Sequence, residues 1–239
     1  MKIIKSLEEL AVEITGRCPV ACSECPYRPA PKAPDRAFPG LFTFLDVHGV
    51  DEIERVVFTG GDPLLAYASV GSCMAEMDSR GVKVGSYLIN TSGLIVHGSA
   101  MKTIVRCILE SYEDESNRGC AISIYGGEII EEELERHGLK DRWCDGSDRL
   151  RRIFRDRVRI DTACCRPEKP EPGFLYDGAI PNEYYLSGSG LFIRHTGDVT
   201  WGQTPEALNN PEASFDNIEE LEGLVDELLK RKELSPDEF

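Results

Sequence analysis

Cys18-Pro19-Val20-Ala21-Cys22-Ser23-Glu24-Cys25 places three thiols in one short loop, directly after the apolar run Leu10-Ala11-Val12-Glu13-Ile14. A loop of this length can turn all three sulfurs toward one point, and thiolates are soft ligands that favour zinc or iron–sulfur clusters. A closed structural zinc site takes four ligands. Three thiolates on a four-iron cubane leave one iron open to bind something else. His48 or a distant cysteine can complete a zinc site, so the residues alone leave both metals open.

The chain has 239 residues, enough for a substantial core in one domain. The division expected is a core over 1–175 and a small extension over 176–239 packed on it. No apolar run approaches the roughly 18 residues that span a bilayer. Met1-Lys2-Ile3-Ile4-Lys5 leads into Glu8 and Glu9, not into a signal segment, so a cytoplasmic location is expected and a membrane is not. Nine cysteines in such a chain point to metal ligands or reactive thiols, not a disulfide framework. A net charge of −15 repels a phosphate backbone and argues against nucleic acid as a partner.

After the thiol loop, Arg28-Pro29-Ala30-Pro31-Lys32-Ala33-Pro34 is a connector that can be neither helix nor central strand. A helical pattern spans Leu41 to Val47. Ile53-Glu54-Arg55-Val56-Val57-Phe58-Thr59 is β-branched and aromatic, as a buried strand is, and it ends in Gly60-Gly61-Asp62-Pro63. Glycines at a strand's C-terminal end let backbone approach a ligand, and their carbonyls can accept from an ammonium; an ordinary turn has the same composition. A helix over Tyr67–Ser79 stopped by Gly81, a strand over Val82–Ile89 ending in Asn90-Thr91-Ser92-Gly93, and a helix over Ala100–Glu110 follow. Further strands are expected at Ala121–Tyr125 and Val158–Ala163, the second followed at once by Cys164 and Cys165. A hairpin over Leu191–His195 and Val199–Trp201 and an amphipathic helix over Asn217–Lys232 complete the chain. Strands alternating with helices give a parallel sheet with right-handed crossovers, which gathers the loops after the strands at one edge.

Val12-Glu13-Ile14-Thr15-Gly16-Arg17-Cys18…Cys22…Cys25 resembles the first strand and cluster loop of the radical S-adenosylmethionine (radical SAM) superfamily. Gly60-Gly61-Asp62 is similar to that family's GGE motif, with Asp62 in place of the usual glutamate. Asn90-Thr91-Ser92-Gly93 resembles its TNG element, and Ile122-Ser123-Ile124-Tyr125 its ISIDG strand. Before the third cysteine the family usually carries an aromatic residue, and here Glu24 stands.

The resemblance implies an α/β fold, a partial (β/α)6 TIM-like barrel with a short C-terminal hairpin and helix. The tail is similar to the SPASM or twitch region of larger members but lacks their auxiliary-cluster cysteines. It implies a 4Fe–4S cluster on Cys18, Cys22 and Cys25 whose open iron chelates S-adenosylmethionine, with Gly60, Gly61 and Asp62 on its amino group. Asn90 and Ser123 become cofactor contacts, and Arg142 a candidate for the carboxylate, since a guanidinium fork matches it in two hydrogen bonds.

It also implies reductive cleavage of S-adenosylmethionine to a 5′-deoxyadenosyl radical that removes a hydrogen atom from a substrate, a small molecule or a peptide, with the auxiliary-domain-like tail favouring the peptide. The electron would come from an external flavodoxin- or ferredoxin-type reductant. Cys164 or Cys165 can donate a hydrogen atom to the substrate radical, bind a metal or serve as a small hydrophobe. A zinc- or iron–sulfur-binding regulatory module without catalysis is the alternative from another class.

Overall fold

The computed structural model describes residues 3–22, 25, 38–111, 121–161, 191–193, 198–200 and 213–214. The strands β1 (Ser6–Thr15), β2 (Glu52–Gly60), β3 (Lys83–Thr91), β4 (Ile122–Tyr125) and β5 (Val158–Asp161) lie side by side in chain order, all parallel. The described helices are α1 (Pro39–Val47), α2 (Tyr67–Ser79), α3 (Gly98–Glu110), α4 (Glu128–Arg136) and α5 (Lys140–Phe154). Strand order that advances in one direction, with right-handed crossovers, winds the connecting helices onto a single face. A doubly wound sheet would need a reversal of order, and β1 to β5 show none. The result is a barrel wall: helices outside, a second face inside.

The outer packing follows from sequence period. Buried Val70, Cys73, Met74 and Met77 on α2, and Ala100, Thr103, Ile104 and Cys107 on α3, fall at i, i+3, i+4 and i+7. All of these except Thr103 join Leu10, Val12 and Ile14 of β1, Val56 and Phe58 of β2, and Tyr87 and Ile89 of β3 in one large core. On the opposite face Ala11, Val57 and Leu88 form a separate small apolar cluster. Period-two alternation therefore assigns Glu13, Thr59 and Asn90, two residues further along each strand, to that inner face.

Beyond β1 the sheet continues through β6 (Leu191–Ile193), parallel to β1, and then β7 (Asp198–Thr200) and β8 (Ala213–Ser214), both antiparallel. The expected hairpin is thus β6–β7, joined edge-on to β1, so β1 is flanked on both sides. The helix expected over 217–232, and the stretch 162–190 where a last barrel strand would fall, lie outside the described residues. No helix among the described residues is long and apolar enough to cross a membrane.

Candidate active site

The loops after β1, β2 and β3 meet at the C-terminal edge of the sheet, where parallel α/β barrels carry their chemistry. Gly60 and Gly61 are packed against the approach to the cysteine loop. A Cβ on Gly61 would lie 2.0 Å from the Arg17 carbonyl oxygen, and one on Gly60 would lie 2.4 Å from that of Thr15. The Gly61 N–H donates to the Thr15 carbonyl at 2.8 Å and the Asp62 N–H to the Arg17 carbonyl at 2.7 Å. Gly60 also takes φ +119°, open to glycine alone. The two glycines thus bring loop against loop, in addition to any approach to a ligand. Tyr125 Oη donates to the Gly60 carbonyl at 3.4 Å.

Asp62 is fully buried and turned sideways, toward the loop after β3. Its carboxylate accepts from the Leu64 N–H at 3.0 Å, Thr91 Oγ1 at 2.9 Å, the Ser92 N–H at 3.0 Å and Ser92 Oγ. Burial raises its pKa, and the donors on Ser92, Leu64 and Thr91 pull it back. Asp62 is therefore the clasp between the two loops.

The cysteine loop turns at Ala21, a non-glycine residue in left-handed backbone at φ +51°. Strain of this kind costs about 1–3 kcal/mol and collects at functional loops. Cys18, Cys22 and Cys25 all border one apolar cluster built from Val20, Leu94, Ile130 and Leu134, and the Cys25 N–H donates to the Cys22 carbonyl at 3.2 Å. Burial pushes the Cys18 thiol up to about 12, with nearby Asp62 and Cys22 adding to it and the Ala21 and Val20 N–H groups opposing. Among the described residues no three His, Cys, Asp or Glu side chains stand ready to hold a metal ion. The donor set itself, three soft ligands in one strained loop against one apolar wall, fits an iron–sulfur cluster with an open iron. Cys73 and Cys107, both in the outer core and pushed up to about 12 by burial, are packing residues, and Cys144 is exposed.

No family model and no curated protein matches the chain. Solved structures do. BtrN in complex with AdoMet and 2-DOIA superposes with a TM-score of 0.51 at 15% identity, covering 98% of this chain and 89% of that one. Native anSMEcpe with bound AdoMet and Cp18Cys peptide gives 0.51 at 11% identity, covering 95% of this chain and 82% of that one.

The chain has the radical SAM fold.

Within that fold the residues expected from sequence divide by level. Gly60, Gly61 and Asp62 are at the loop layer with the cysteines. Asn90 and Ser123 sit one level beneath, paired across β3 and β4. Ser123 is fully buried and its Oγ accepts from Arg159 Nε at 3.3 Å. Arg142 is exposed on α5, beside Trp143, whose Nε1 donates to the Tyr125 carbonyl at 3.2 Å. Cys164 and Cys165 lie outside the described residues. Sequence reasoning passed over Glu13, Thr59 and Arg159. The signal was present, since each has the parity of Ala11, Val57 or Ser123 on its own or the neighbouring strand.

Proposed function

We propose that the chain is an enzyme that binds S-adenosylmethionine at a 4Fe–4S cluster held by Cys18, Cys22 and Cys25. A cluster held there would supply one-electron reduction of the sulfonium, with the electron drawn from an external flavodoxin- or ferredoxin-type donor, and the products expected are methionine and 5′-deoxyadenosine carrying a hydrogen atom from the substrate. The observation that carries this proposal is the seating of the Gly60-Gly61 turn on the backbone of Thr15 and Arg17, beside the three thiols.

In this scheme the chain binds, orients and excludes water. The Gly60 and Gly61 carbonyls would accept from the cofactor's amino group, with Asp62 holding the shape of their loop through Leu64, Thr91 and Ser92. Ser123 and Arg142 are the candidates for its carboxylate, and Asn90 lines the level below. The cluster formed by Val20, Leu94, Ile130 and Leu134 shields the sulfur loop from water on one side. Cys164 and Cys165 are the candidates for a thiol that returns a hydrogen atom to the substrate radical. The thiyl left behind would take one electron from the external reductant and one proton from solvent. A small molecule and a peptide both fall in the range of what proteins of this fold hold, 2-DOIA in BtrN and a peptide in anSMEcpe.

The test is anaerobic reconstitution of wild type and Cys22→Ala, followed by chemical reduction with S-adenosylmethionine present. Wild type should bind iron and sulfide and release 5′-deoxyadenosine, and the variant should do neither. Cleavage retained by Cys22→Ala, or tetrahedral zinc in place of iron in the wild type, overturns the proposal.

A further inference from the structure

Two neighbouring helices on the outside of the barrel leave apolar side chains in water. α3 crosses from β3 to β4 and α5 leads from beyond β4 into β5, so they are neighbours on the helical side of the sheet. The two flanks of α3 differ. On one, Thr103 Oγ1 donates to the Tyr67 carbonyl at 3.5 Å and Arg106 Nη1 to the Gly71 carbonyl at 3.2 Å, which docks that flank on α2. The other, toward α5, carries Met101, Val105 and Leu109 at i, i+4 and i+8, one ridge about 12 Å long. Met101 is half-buried, but Val105 is 40% exposed and Leu109 77%.

α5 touches the lead-in to α3 at Gly146, where a Cβ would lie 2.1 Å from the Gly93 carbonyl oxygen and 3.8 Å from Val96 Cγ2. Arg149 and Ile153, three and seven residues further along, continue the same stripe of the helix. Both are exposed. Among the described residues the exposed large apolar side chains are Ile3, Val47, Val105, Leu109 and Ile153, and the last three border this one seam.

The seam is also basic. Residues 148–157 hold five arginines against two aspartates, in a chain whose net charge is −15. Arg149, Arg151, Arg152 and Arg155 are exposed, and among the described residues none of the four forms an ion pair, although Asp145 and Asp148 stand four residues before Arg149 and Arg152. The negative end of a helix attracts cations into its last turn, which accounts for Arg151 and Arg152. Arg149 lies further back, on the seam itself.

We infer that the α3–α5 seam is a docking surface for an acidic amphipathic helix of a partner protein. A ridge at i±4 spacing is what another helix packs its own ridges against, and apolar anchors laid between two helices are one of the recurring modes of peptide recognition. The partner's apolar stripe covers Val105, Leu109 and Ile153, and its carboxylates meet Arg149 and Arg152. Such charge pairing selects the sign of the partner. A second copy of this chain, seam to seam, would set arginines against arginines. The exposed end of the seam lies where α3 and α5 lead into β4 and β5, at the opposite edge of the sheet from the cysteine loop, so the partner is held without covering that loop.

The experiment uses the full chain and reads binding alone, so its outcome does not depend on the cluster or the cofactor. The probes are a fluorescein-labelled helical peptide of leucine and glutamate and its counterpart with lysine in place of every glutamate. By anisotropy, wild type should bind the glutamate peptide roughly tenfold more tightly than the lysine peptide, and less tightly as salt is raised. Leu109→Ser and Arg149→Glu should each weaken that binding by roughly tenfold. Both side chains are exposed, so both variants should fold as wild type does. Val47→Ser, at an exposed apolar residue of α1, should leave binding unchanged. No binding of the glutamate peptide, equal binding of the two peptides, or equal binding by wild type and either seam variant overturns the inference. So does a wild-type dimer in sedimentation that Leu109→Ser dissociates, which would assign the seam to a second copy.

Discussion

Gly61→Ala perturbs the contact on which the site is built. The added Cβ would lie 2.0 Å from the Arg17 carbonyl oxygen and 2.3 Å from its carbon, both backbone atoms. Backbone cannot swing aside as a side chain can, so the two loops must part by about 1 Å to reach the shortest ordinary contact. Overpacking of this kind costs about 1–3 kcal/mol. The hydrogen bonds from the Gly61 and Asp62 N–H groups, at 2.8 and 2.7 Å, bridge the same gap, and losing them costs about 0.5–1.5 kcal/mol each. A destabilisation of about 2–6 kcal/mol follows, which lowers a urea midpoint by roughly 1–2 M. Gly71→Ala is the matched control. It lies inside α2, where a Cβ would meet only Arg106 Nη1 at 3.9 Å, and helix propensity predicts a gain of up to about 1 kcal/mol. Iron retained after anaerobic reconstitution is the second readout, expected to fall in Gly61→Ala and to hold in Gly71→Ala. If the two variants unfold at the same urea concentration and hold equal iron, the loop contact is not what the glycine is for.

Two more expectations concern carboxylates. Burial pushes Glu9 up to about 7 from 4.5, with Arg55 and Arg159 opposing and Glu8 adding to it. A raised carboxylate pKa contributes stability below 4.5 that is lost as pH climbs through 7, so Glu9→Gln should match wild type at pH 4 and exceed it at pH 8 by at most about 3 kcal/mol. A difference between their denaturation midpoints that stays constant from pH 4 to 8 would contradict this. Asp62→Ala should cost about 2–6 kcal/mol, because the Leu64 and Ser92 N–H groups lose their acceptor inside the protein. Asp62→Asn, which keeps an acceptor oxygen, should lose less in thermal melts, and equal losses would count against the clasp.

The sequence made the outer shell legible because one period decided it. The buried positions of α2 and α3 repeat at helical spacing, and the helix expected over Tyr67–Ser79 is the one observed. α5 is harder to see in Lys140–Phe154, where charge dominates and Gly146 falls mid-helix. That glycine has a tertiary cause, since a Cβ there would lie 2.1 Å from the Gly93 carbonyl oxygen. The thiol loop, the glycine turn and the Asn90-Thr91-Ser92 strand end were likewise visible as motifs. What local pattern could not carry was the partner of each group. Asp62 faces Thr91 and Ser92, far along the chain, and the glycines serve Thr15 and Arg17. The inner polar row was hidden for a related reason. Thr59 and Asn90 look like strand-end polar residues until the register between β2 and β3 sets them side by side.

The pairing of β6 with β1 bears on the same site. A strand at a sheet edge can shift with its loop, because one side of its backbone is held only by solvent. β1 is held by β2 along its length and by β6 at Leu10 to Val12, so its C-terminal end is a fixed point from which Thr15, Arg17 and Cys18 depart. The strained turn at Ala21 then sits on rigid backbone on one side and on the apolar cluster of Val20, Leu94 and Ile130 on the other. Strain persists only where its surroundings over-determine it. Pairing on both flanks of β1 supplies that condition, and the hairpin at the far end of the chain thereby serves the loop nearest its beginning.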